Sequence, residues 1–122
     1  MVSTSTKAGK QIEIHWSDNK LEKACSHEKT GKLRWGANFR ILQRRLESLE
    51  AAETLADMEG VPGHCHALRG DRAGQFAVAL WGSYRLIFVV ADKPVPRLED
   101  GGIARARVTQ IKLVEVVDYH GD

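Results

Sequence analysis

Residues 108–117, Val-Thr-Gln-Ile-Lys-Leu-Val-Glu-Val-Val, constrain the fold more than any other stretch of the chain. The apolar members fall on both parities of an extended strand, so both of its faces carry Val, Ile or Leu. Such a strand is expected at the centre of a sheet or under good cover, not at an edge. It runs directly into Asp118-Tyr119-His120, three side chains that accept, donate and titrate near neutral pH. With no helix after it, the end of this strand is a candidate place for acid–base chemistry.

The upstream chain supplies the partners. Gln11-Ile-Glu-Ile-His-Trp16 alternates apolar and polar residues and reads as a short strand. Ser17 and Asp18 offer N-cap oxygens to a helix reaching Lys29, and Thr30-Gly31 is expected to break it. A second helix is expected over 32–52, where Phe39, Leu42, Leu46 and Leu49 form one apolar stripe with Arg40, Arg44, Arg45 and Glu47 outside it. So short a link predicts an antiparallel helical hairpin. Thr54–Met58 adds one helical turn before Gly60-Val-Pro-Gly63.

Strands are then expected at His64–Arg69, Gln75–Leu80 and Tyr84–Ala91, separated by the turn Gly70–Gly74 and the tight link Trp81-Gly-Ser83. Asp92–Arg107, with Pro94, Pro96, Gly101 and Gly102, reads as a long exposed loop. The order β-α-α-β-β-β-β predicts an α+β domain. A strand and helical hairpin would pack on one face of a mostly antiparallel, twisted sheet of four to five strands. The opposite face would stay open for a site.

At 122 residues, 43% of them hydrophobic and 28% charged, the chain has the size and balance of one soluble domain. Residues 1–10 are expected as a flexible extension and 11–122 as the domain. No apolar stretch nears the roughly 20 residues of a transmembrane helix, so no membrane role is expected. Cys25 and Cys65 allow at most one bridge; free thiols and a cytoplasmic setting are the simpler reading. The net charge of +2 conceals ten Lys/Arg against four Asp/Glu in residues 1–46, and five acids without a base in 47–60. A basic half with a separate acidic strip suits a nucleic-acid binder, although Lys/Arg-rich helices also occur simply as solvated surfaces.

Arg85 interrupts the apolar run Tyr84–Val90. A permanent guanidinium there must meet solvent, a carboxylate such as Asp118 or Glu115, or an anionic ligand. His64-Cys65-His66 invites a zinc reading, but no Cys-x-x-Cys and no second paired motif accompanies it, so no metal or other cofactor is expected. Cys65 reads as core filling rather than as a nucleophile. Trp16, Trp35 and Trp81 read as packing more than as base-stacking platforms.

Three separated motifs occur in order: Pro62-Gly63 with His66-Ala-Leu-Arg69-Gly-Asp-Arg72-Ala-Gly74, then Trp81-Gly-Ser-Tyr84-Arg85-Leu-Ile-Phe88, then Asp118-Tyr119-His120. Together they resemble the HigB-type killer toxins of the RelE/ParE toxin superfamily, over roughly Gln11 to His120. The resemblance implies a compact RelE-like fold and a toxin of a type II toxin–antitoxin system. Such a toxin cuts mRNA on the ribosome without metal and is held in check by a HigA-like, helix-turn-helix antitoxin. It would be monomeric alone and oligomeric in that complex.

Carried onto this chain, the resemblance puts His66 and His120 in the acid–base pair, with the order of the two left open. Arg85 and Arg69 would hold the phosphate, Arg69 standing where the family commonly has Lys. Tyr119 would stack or hydrogen-bond near the ribose, and Asp118 would orient a histidine or pair with an arginine. Arg72 would help bind RNA. The hypothesis adds Lys20, Lys23, Lys32, Arg34, Arg40, Arg44 and Arg45 as a salt-sensitive surface for the ribosome. Strict alternation sends His66 and Arg69 to opposite faces, so one shared site requires the strand to deform into the Gly70 turn. ParE-type relatives, which share the fold and poison DNA gyrase, are the alternative, as is an inactive toxin-derived binding module.

Overall fold

The computed structural model describes residues 11–120, so the expected N-terminal extension lies outside them. The elements are β1 (Glu13–Trp16), α1 (Asn19–Ser26), α2 (Glu28–Trp35), α3 (Phe39–Ala51), β2 (His66–Ala67), β3 (Gln75–Ala79), β4 (Tyr84–Val90) and β5 (Gln110–Asp118). The five strands form one sheet in the order β1-β5-β4-β3-β2. Only the β1–β5 pair is parallel. The α+β architecture expected from the sequence is therefore present, and the doubly apolar strand lies between two neighbours.

The apolar stripe of α3 meets one face of this sheet. Phe39, Leu42, Leu46 and Leu49 share a core with Phe76, Val78, Leu86, Phe88, Ile111 and Leu113. Phe76 and Phe88 stack with centroids 5.4 Å apart across the β3–β4 pair. The tryptophans belong to this side too, for Trp16, Trp35 and Trp81 pack against the same core. Trp35 stacks on Phe39 at 6.4 Å and meets Trp81 edge-on at 6.5 Å.

The helices break elsewhere than expected. Asp18 caps α1 by accepting from the Leu21 amide at 2.7 Å, but the first break comes at His27 and the second at Gly36–Asn38. Gly31 lies inside α2. A Cβ on it would fall on the Phe39 ring and within 2.7 Å of the Ala24 carbonyl. Its glycine serves close approach of the helices, not termination. Gly36, at φ 60°, takes the terminating role.

The strand expected at His64–Arg69 shrinks to β2, His66 and Ala67. His64 has φ 48°, which interrupts the extended chain just before it. Pairing continues loosely on both sides, through Ala79 N–H to the Gly63 carbonyl at 2.7 Å and Leu68 N–H to the Gln75 carbonyl at 2.8 Å. Gly63 is needed there, since a Cβ would lie 2.6 Å from Val78. Segment 92–107 carries an isolated Arg97–Ile103 bridge and a short turn of 3₁₀ helix at Arg105–Arg107. It is less exposed than expected, because Ala104 is buried and Ile103 packs against the core.

Candidate functional site

Among the described residues no helix packs on the second face of the sheet. Cross-strand register aligns His66, Ala77, Ile87 and Glu115 in one row, and Ala79, Arg85 and Val117 in the next. A small apolar patch of Leu68, Ala77 and Ile87 lies on this face, covered by Val114, Val117 and Tyr119. A bulge opposite Ile87–Phe88 shifts the β4–β5 register. It lets Leu113 and Val116 both face the helices while Val117 and Tyr119 face the patch.

Arg85 sits at the edge of the patch. Its guanidinium donates to the Tyr84 and Gly82 carbonyls at 2.9 and 3.1 Å. Neither acid considered for it is its partner. Glu115 pairs with Arg72 at 3.0 Å, and Asp118 accepts from His120 Nε2 at 3.1 Å and from the Ser83 hydroxyl. Among the described residues no carboxylate lies within ion-pair range of Arg85. The guanidinium is thus held in place by neutral carbonyls, with its charge unmatched by any carboxylate among the described residues.

The C-terminal trio divides. Tyr119 packs on the patch with the Arg72 guanidinium 5.3 Å from its ring centroid. The Tyr119 amide donates to the Ser83 carbonyl at 2.9 Å. Asp118 and His120 are exposed at the end of β5, and the hairpin residue Ser83 anchors Asp118. Ser83 was not singled out from the sequence; it lies 35 positions from Asp118, and only the β4–β5 pairing joins them.

His66 and Arg69 line one depression of about 500 Å³ with His64, Ala67 and Arg105. The shortness of β2 makes this arrangement possible, because alternation ends before Arg69 is reached. The His66 and His64 rings lie 4.8 Å apart, and His66 Nδ1 is 2.9 Å from the His64 carbonyl oxygen. No group of three or more candidate metal ligands exists among the described residues. Burial pushes the Cys65 thiol up to about 11, with Arg105 opposing, so at neutral pH it holds its proton and is a poor nucleophile.

Two further cations have internal partners. Arg72 also donates to Gln75 Oε1 at 2.7 Å, and Arg45 Nε donates to the Ala79 carbonyl at 2.9 Å. Both arginines are thereby tied to neighbouring groups of the protein. Lys20, Lys23, Lys32, Arg34, Arg40 and Arg44 are exposed on the helical layer, across the sheet from Arg85. Lys32 pairs with Glu28 at 2.6 Å, and Arg34 lies 4.8 Å from the Trp35 ring centroid.

This fold has solved counterparts. The YoeB dimer from Staphylococcus aureus superposes with a TM-score of 0.51 at 16% identity, covering 90% of this chain and 98% of that one. YoeB in the YoeB–YefM complex from the same organism gives 0.52 at 17% identity, with the same coverage. A YoeB/ParE toxin from Agrobacterium tumefaciens gives 0.50 at 11% identity, covering 89% of this chain and all of the other.

The fold is that of the YoeB toxins.

No protein-family model matches the chain, and no curated protein matches it in sequence. The neighbours therefore show the fold alone; those named are YoeB and YoeB/ParE toxins, and nothing in them supports the HigB subtype. No helix among the described residues is long and apolar enough to cross a membrane.

Proposed function

We propose that this protein is the toxin of a toxin–antitoxin pair and acts as a ribosome-dependent, metal-independent mRNA endoribonuclease. The observation that carries the reading is Arg85, a guanidinium on the helix-free face, fixed by two carbonyls and paired with no carboxylate among the described residues. Beside it, Asp118 holds the His120 imidazole at 3.1 Å. In-line attack by a ribose 2′-hydroxyl needs those components. A base removes the 2′ proton as the oxygen bonds to phosphorus, and an acid protonates the departing 5′-oxygen. The charge that grows on the non-bridging oxygens is met by paired guanidinium donors.

His66 and His120 are the acid–base pair in this reading, with Arg85 and Arg69 on the phosphate and Asp118 positioning His120. Tyr119 flanks the ribose or base, while Arg72 keeps the Tyr119 ring in place. The exposed cations of the helical layer meet ribosomal phosphates. The YoeB–YefM complex supports a protein antitoxin as partner, and the HigB-like motifs point to a HigA-like one.

The test is a cell-free translation reaction in which a defined mRNA is mapped by primer extension, with and without ribosomes. Wild-type protein is expected to cut only with ribosomes, and His66→Gln, His120→Gln and Arg85→Ala to cut at a rate lower by about 10² or more. Intact mRNA and undisturbed translation would sink the reading and direct attention to gyrase, the target of ParE-type toxins sharing the architecture.

A further inference from the structure

The helix-free face holds a second concavity that the cleavage chemistry does not use. Val89 lies four residues from Arg85 on β4, so it faces the same way about 13 Å further along the strand. Its cross-strand partner is Lys112, whose own partner is His15 of β1, so the three share that face. Around them is a cavity of about 790 Å³, walled by Asp92, Lys93 and Val95 at the start of the loop after β4. It exceeds the depression beside His66 and is open to the same face as Arg85.

Two ammonium groups and one carboxylate line it. Asp92, the acid in its wall, accepts from Thr109 Oγ1 at 2.7 Å, from the Thr109 amide at 3.1 Å and from the Gln110 amide at 2.9 Å. The carboxylate is thus turned to Thr109 and Gln110 at the start of β5, away from the two lysines. Glu13, the acid nearest in the chain to His15, contacts its Nε2 at 3.2 Å. Lys93 and Lys112 are both exposed, and among the described residues neither has a carboxylate within ion-pair range. Two ammonium groups without a carboxylate partner, beside the apolar Val89 and Val95 and with an imidazole at one side, match a nucleotide: phosphate to the amines, base to the valines.

We propose that this cavity is a subsite for a nucleotide of single-stranded RNA, on a strand that crosses the sheet from Arg85. The proposal rests on the endoribonuclease reading for the direction of the strand, and on the cavity alone for its ligand. Between the two sites lie Ile87 and the neutralised Arg72–Glu115 pair, which would let a strand pass without a repelling charge.

The experiment is fluorescence anisotropy of a labelled single-stranded RNA over a salt series, with mRNA cleavage measured in parallel. Lys93→Ala/Lys112→Ala is expected to bind about tenfold more weakly at low salt. Its plot of log affinity against log salt should be shallower by about 1.4, since each phosphate contact to a single strand contributes about 0.7. Lys93→Arg/Lys112→Arg should restore both. An unchanged slope in the alanine variant while wild-type protein cleaves mRNA would overturn the subsite and leave the nuclease standing. A shallower slope in a protein that cleaves nothing would uphold the subsite and remove the nuclease. No RNA binding by wild-type protein would overturn the subsite as well.

Discussion

The same strands build both faces of the sheet, yet one face is a core and the other a small apolar patch ringed by charge. On the helix side Phe76, Leu86, Phe88, Ile111 and Leu113 are at most 1% exposed and are covered by α3. On the other side Ala77 and Ile87 are equally buried, but their cover is Val117, Tyr119 and the arginine that lies over it. Burial beneath a helix is enforced by the packing of a whole element. Burial beneath two long side chains can relax when one is removed. The first face holds the fold, and the second can carry charged groups because little of the fold depends on them.

Truncation on each face tests that contrast. Phe88→Ala should destabilise the protein by about 3–5 kcal/mol, and Ile87→Ala by about 2 kcal/mol because its cover can close over the gap. Denaturant midpoints of the two variants measure the difference. Equal losses would mean that the second face is as rigid as the first.

Arg72→Ala comes next. The pair it forms with Glu115 is partly exposed, 28% and 39% for the two side chains, so its loss together with the Tyr119 contact should cost only about 1 kcal/mol. mRNA cleavage should fall modestly, through a displaced Tyr119. A collapse of cleavage matching that of Arg85→Ala would instead place Arg72 on the phosphate.

The smallest effect is expected at Asp92. Burial opposes its ionisation, but hydrogen bonds from Thr109 and Gln110 outweigh burial and hold its carboxyl below the ordinary value. A lowered folded pKa means stability that is present above the unfolded pKa and lost as pH falls through the folded one. Asp92→Asn should therefore lower the melting temperature slightly at neutral pH. The gap from wild type should narrow on the acid side. A gap independent of pH would show that the clamp acts through its shape alone.

Much of this architecture was legible in the residues. The both-sided apolar run of β5, the three-and-four spacing of α3 and the alternation of β3 each state a local period, and each period was obeyed. The helix break at Thr30-Gly31 was misread because glycine has two uses, and only the Phe39 ring lying against Gly31 tells close approach from termination. The lone charge within β4 marked Arg85. Nothing along the chain marked Ser83, Lys93 or Lys112, whose meaning depends on β4 pairing with β5 and β5 with β1.

By itself the sequence determined the periods of β3 and β5, the side of α3 that is buried, and the presence of an arginine that the core could not absorb. These follow from periodicity and from the cost of burying charge, both properties of neighbouring residues. The tertiary structure alone decided which acid meets which base. Glu115 goes to Arg72 and Asp118 to His120, so Arg85 has no carboxylate partner among the described residues. Ion pairing depends on distances of a few ångströms between residues far apart in the chain, and strand register, shifted here by one bulge, sets those distances.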